Sequence, residues 1–296
     1  MRLFGLTAAL LVAGCEGGPE QEVDVDLLFF SRALNGANEL RAALVDEPST
    51  AKTVDALAGA TSASFLDTER VIATVGIDLV VLSLTDNSVT PVATDVVMVG
   101  PEGVGDVVIS AGYVDPGEPE LTEDGEPIGV ELDFDLYRLD LTTGATTRLT
   151  EGPSFDAAVT VADDGRVFYV SDASGQNELW ALDDGTPRQV TTGANLVGRA
   201  CVSGDGATLV WGQATADGTV LVQASTADGV IRPLGTGVIG VSPAIADDGR
   251  VVFSRFEPFA EDQDPVAELF VYDPATDIVT QLTDDGRIAS SPALAR

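Results

Sequence analysis

Two stretches of this 296-residue chain concentrate side chains able to hold a cation. Residues 115–133, DPGEPELTEDGEPIGVELD, carry Asp115, Glu118, Glu120, Glu123, Asp124, Glu126, Glu131 and Asp133 with no basic residue. Residues 256–266, FEPFAEDQDPV, carry Glu257, Glu261, Asp262 and Asp264. Clustered carboxylates can supply the six to eight oxygen ligands that Ca²⁺ takes at about 2.3–2.6 Å. They equally suit a cationic peptide surface. Glu118, Glu120, Glu123, Asp124, Glu126, Glu257, Glu261, Asp262 and Asp264 are therefore candidates for binding a partner or a cation. The plainer alternative is a pair of solvated loops in a chain that is acidic throughout. No Asp-x-Asp-x-Asp-Gly loop with its closing glutamate occurs, so no motif names the metal.

Other chemistry is narrowed by what the chain lacks. It has no histidine, which removes Ser-His-Asp triads, Cys-His pairs and His-ligated metals. Gly103-Val104-Gly105 lacks the Lys-Ser and the helix of a phosphate loop. Glycosidases of some folds work with two carboxylates about 5–10 Å apart, but nothing singles out such a pair among 48 acidic residues. No catalytic residue is assigned, and the expectation is a protein that is not an enzyme. The formal charge of −33 repels nucleic-acid phosphates, which excludes nucleic acid as a partner.

Residues 1–14 have the build of an export signal: Arg2, then an apolar run from Leu3 to Ala13, too short to span a bilayer as a helix. The end of that run, Leu11-Val12-Ala13-Gly14-Cys15, resembles the lipobox of bacterial lipoproteins. That resemblance implies a diacylglycerol on Cys15, cleavage just before it, and a chain held at the cell envelope by its lipid alone. Glu16 at the next position, where Asp signals inner-membrane retention, points to the outer membrane. Residues 15–26 are acidic with Gly and Pro, as in a flexible tether. Cys201 is the remaining cysteine, so no intramolecular disulfide forms after lipidation; its surroundings, GRACVS, suggest a buried position on an inner strand.

The elements that position these residues are repeats. ELWALDDGTPRQVTT (178–192), DLYRLDLTTGATTRLT (135–150) and ELFVYDPATDIVTQLT (268–283) each pair two alternating strands across a turn and close near Leu-Thr or Val-Thr. Weaker copies lie at 39–57, 78–94 and 219–236. With Leu40, Leu79, Leu136, Leu179, Val220 and Leu269 as markers, the intervals are 39, 57, 43, 41 and 49 residues; this is the spacing of four-stranded propeller blades, with one long interval that contains an insertion. A second hairpin precedes each copy. VTVADDGRVFYVSD (159–172), CVSGDGATLVWG (201–212) and AIADDGRVVFSR (244–255) show it with Asp-Gly turns; LLFFSR (27–32), RVIATV (70–75) and VVISAG (107–112) are the matching second strands. The terminal SSPALA (290–295) matches the internal VSPAIA (241–246). The last strand thus supplies the missing first strand of the first blade. The fold expected over 27–296 is all-β, a β-propeller of about six four-stranded blades closed by the C-terminal strand. Tyr137, Trp180, Phe270 and Tyr272 are expected in the core between blades.

Residues 149–192 are similar to the WD-like repeat of TolB-type propellers, running from Leu-Thr through an Asp-Gly turn to a strand bearing Tyr or Trp. Ser242-Pro243 and Ser291-Pro292 echo that family's Ser-Pro. The resemblance covers about 27–296, more clearly in the second half. TolB carries an α/β domain before its propeller and this chain has no room for one, so TolB itself is not implied. What the resemblance implies is a non-catalytic scaffold that binds envelope proteins. The alternatives are a Ca²⁺-dependent adhesion or envelope-stability module and a carboxylate-based glycan-acting enzyme. No cofactor is expected beyond the lipid, apart from Ca²⁺ if the acidic loops bind it. Those loops join second to third strands in the third and sixth blades, across the ring from each other, and are expected to frame the channel mouth.

Overall fold

The computed structural model describes residues 8–12, 21–32, 36–113, 134–216, 218–256 and 266–295. β1 (Ala8–Val12) pairs antiparallel with β2 (Gln21–Val25), so the last residues of the expected tether are strand. The first blade takes β3 (Leu27–Arg32), β4 (Glu39–Leu44) and β5 (Glu47–Thr53). The second is β6 (Ala60–Phe65), β7 (Arg70–Val75), β8 (Asp78–Ser83) and β9 (Val89–Val92). The third is β10 (Val97–Val104), β11 (Val107–Tyr113), β12 (Asp135–Asp140) and β13 (Thr146–Arg148). The fourth is β14 (Asp156–Val161), β15 (Val167–Ser171), β16 (Glu178–Asp183) and β17 (Thr186–Gln189). The fifth is β18 (Leu196–Val202), β19 (Thr208–Thr215), β20 (Gly218–Ser225) and β21 (Arg232–Pro233). The sixth is β22 (Val241–Ile245), β23 (Val251–Phe256), β24 (Ala267–Asp273) and β25 (Ile278–Gln281).

β26 (Ile288–Leu294) completes the first blade, as the repeat pattern requires. It pairs antiparallel with β3, with Leu294 opposite Leu27, and the Ala295 N–H bonds the Asp26 carbonyl at 2.9 Å. One parallel bridge, Ala267 to Ile288, joins the sixth blade to the first. The ring therefore closes through backbone pairing and leaves the first blade no open inner edge.

Each seam between blades is an apolar cluster; among the described residues there are six, one per seam. Trp211, fully buried between the fourth and fifth blades, still satisfies its indole N–H on the Ala194 carbonyl at 2.9 Å. Tyr137, Phe270 and Tyr272 are buried, and Trp180 packs half-buried at the seam of blades three and four. Cys201 is buried between blades five and six.

Polar clamps reinforce the seams. Arg70, Arg166 and Arg250 each follow a turn between the first and second strands and bind an acid of that turn: Asp67, Asp164 and Asp248. Each then reaches the next blade, at Asp106 (2.6 Å), the Asp205 carbonyl (2.6 Å) and Asp46 (2.7 Å). The Asp-Gly turns thus serve the ring. No helix among the described residues is long and apolar enough to cross a membrane.

Candidate functional site

The first strand of every blade is innermost, and a shared irregularity shapes it. β10, β14, β18, β22 and β26 each carry a bulge, with a left-handed residue at Gly100, Ala158, Gly198, Ser242 and Ser291. A bulge re-aims the side chains that follow it. The Ser-Pro pairs are two of these bulges: a left-handed Ser and then a proline.

Two positions after the bulge, the residue is Glu102, Thr160, Ala200, Ala244 or Ala293. Glu102 is the one charged member. It is buried; Oε1 accepts from Arg199 Nη2 at 2.8 Å and Oε2 from the Val161 N–H at 3.3 Å. Thr160 Oγ1 accepts the Val202 N–H at 3.1 Å. Third, fourth and fifth blades are thereby stapled on the axis. Beside them, where the sixth and first blades carry Ala244 and Ala293, a cavity of about 390 Å³ remains. Ser64, Glu102, Thr160, Asp163 and Arg199 form its polar wall, and Ala244, Ile245, Ala293 and Leu294 its apolar wall. Asp163 Oδ2 and Asp247 Oδ1 both close on Gly204, where a Cβ would stand 2.5 Å from the first oxygen.

All the lining residues come from the C-terminal halves of the first strands or the turns after them. Both acidic stretches leave the opposite end, after Tyr113 and after Phe256. Glu118, Glu120, Glu123, Asp124 and Glu126 lie outside the described residues, as do Glu257, Glu261, Asp262, Asp264 and Cys15. Among the described residues no group of three or more Cys, Asp or Glu side chains is placed to hold a metal.

The loop end has a feature of its own. Ile77, Val99, Phe155, Ile239 and Phe256 are 45% exposed or more, and all sit there by topology. Tyr113, Phe134 and Phe155 form an aromatic row with centroids 5.1 and 5.2 Å apart. These rings stand at the stem of the 115–133 stretch, and Phe256 at the stem of the other.

Sequence reasoning did not find Glu102, Arg199 or the apolar loop end. For Glu102 a signal exists: Gly100-Pro101-Glu102 aligns with Ser242-Pro243-Ala244 and Ser291-Pro292-Ala293, a glutamate where the repeat has alanine.

No family model and no curated protein matches this chain. Solved structures do. TolB from Acinetobacter baumannii aligns with a TM-score of 0.70 at 15% identity, over 92% of this chain and 66% of that one. A putative TolB from Agrobacterium tumefaciens gives 0.62 at 14%, over 92% and 99%. A chain of the nidogen/laminin complex gives 0.64 at 10%, over 92% and 98%. The fold is that of the TolB propeller and related propellers.

Proposed function

We propose that this chain is a non-catalytic envelope lipoprotein whose propeller binds a protein partner through its loop end. The observation that carries the reading is the set of exposed apolar side chains at that end: Ile77, Val99, Phe155, Ile239 and Phe256. Apolar side chains gathered at one end of a domain, with Tyr113, Phe134 and Phe155 in ring contact among them, suit an interaction site. Acidic sequence follows Tyr113 and Phe256 in the chain, and charged sequence beside apolar side chains suits an interface. The lipobox-like Leu11-Val12-Ala13-Gly14-Cys15 supports lipid anchoring at the outer membrane, the one contact with membrane in this reading. A propeller in the nidogen/laminin complex shows the fold in a protein assembly; the fold alone does not choose a partner.

The test is capture of the intact chain from its own envelope, wild type beside the Ile239→Asp/Phe256→Asp variant. A stoichiometric protein retained by the first and lost from the folded second supports the reading. Equal recovery by both overturns it.

A further inference from the structure

The axial cavity contains a guanidinium with most of its hydrogen-bonding capacity unspent. Arg199 donates to Glu102 from Nη2, while its Nε is buried and meets no acceptor. A guanidinium carries five N–H donors in a planar fork, and a buried donor without a partner costs free energy. A desolvated ion pair is itself weak evidence of stabilisation; an apolar pair of the same shape often does as well. Its place in the wall of a cavity of about 390 Å³, within the range of small-molecule pockets, suits binding.

The charge balance selects the ligand. Glu102 already neutralises Arg199, and Asp163 adds a further carboxylate to the same wall, so a bare anion would meet surplus negative charge. A molecule carrying both signs can give its carboxylate to the guanidinium and its ammonium to a carboxylate of that wall. The opposite wall, Ala244, Ile245, Ala293 and Leu294, is aliphatic.

We propose that the axial cavity binds a small zwitterion with an aliphatic side chain, an α-amino acid or a dipeptide. Its carboxylate accepts from the accessible part of the Arg199 guanidinium, at the Nη1 that no described residue takes. Its ammonium faces Glu102 or Asp163. Its side chain lies against the aliphatic wall. The site is at the other end of the ring from the apolar loop end and stands independently of the partner proposed there.

The experiment is thermal melting of the full chain with L-leucine, L-alanyl-L-leucine, isovalerate and isoamylamine at equal millimolar concentrations. Leucine or the dipeptide is expected to raise the midpoint by about 3 °C or more. Isovalerate and isoamylamine, each half of the ligand, leave it unchanged, and Arg199→Gln abolishes the shift. No shift with leucine or dipeptide, or an equal shift with isovalerate or isoamylamine alone, overturns the proposal. These wild-type outcomes decide it should Arg199→Gln fail to fold.

Discussion

Thr191 Oγ1 donates to Glu178 Oε2 at 2.8 Å and accepts the Leu179 N–H at 2.9 Å, tying the end of β17 to the start of β16. Glu178 also takes the N–H groups of Gly193 (2.6 Å) and Ala194 (3.1 Å), which begin the crossing to the next blade. The same latch joins Asp135 to Thr150 and Glu268 to Thr283. It explains why the repeats open on an acid before leucine and end on threonine. Removing the carboxylate leaves three buried or half-buried donors unmet. Glu178→Ala is expected to cost about 2–4 kcal/mol, and Thr191→Val about 1–2 kcal/mol, by denaturant unfolding.

Burial pushes the Glu268 carboxyl above its ordinary value, against the lowering bonds from Thr283 and the Gly286 N–H; Asp285 and Asp284 add to the rise. Burial likewise raises Asp26. A carboxyl raised in the folded chain stabilises it fully below the ordinary value and loses that contribution as pH rises through the folded pKa. The melting temperature of Glu268→Gln should therefore fall less than that of wild type between pH 4.5, the ordinary glutamate value, and neutrality. An unchanged pH profile would remove Glu268 as a source of that loss.

Hydrogen bonds from the Arg166 backbone N–H and side chain hold Asp164 below the ordinary aspartate value, and those from Arg70 and Thr142 hold Asp106 below it. Their contribution has the opposite sign, present above that value and lost as pH falls through the folded pKa. Arg166 binds the Asp205 and Gly206 carbonyls across the seam, whereas Arg70 and Arg250 bind carboxylates. Arg166→Ala is expected to cost about 1–2 kcal/mol and to depend less on salt than Arg70→Ala, because only its Asp164 bond is an ion pair and its bonds across the seam go to carbonyls. Arg70→Ala should cost under about 1 kcal/mol, and less at high salt, which screens exposed pairs. Unfolding at two ionic strengths separates them.

Cys201 is 3% exposed in an apolar seam. In the folded chain its thiol should react with an aromatic disulfide reagent only as fast as the ring opens, and at full speed in denaturant. Replacement of Cys15 by Ser should abolish incorporation of labelled fatty acid in cells and release the chain from the membrane fraction. Retained label would end the lipoprotein reading.

The sequence by itself determined the ring. Blade length, strand alternation and the Asp-Gly turns are local properties of a repeat that buries its faces only by stacking, so they specify a ring of about six blades; with three of the copies weak, the strand pairing decided that the number is six and not five or seven. The match of SSPALA to VSPAIA determined closure too, because a first strand at the chain's end has one vacant edge to fill. Only the tertiary structure decided which departures from the repeat meet. Glu102 and Arg199 lie 97 positions apart, and nothing local announces that two bulged strands turn them toward one axis. The exposed side chains of Ile77, Phe155, Ile239 and Phe256 look like ordinary strand-end residues one at a time. The ring brings them to one end, since loops of alternate connectivity must emerge on opposite sides of an antiparallel blade.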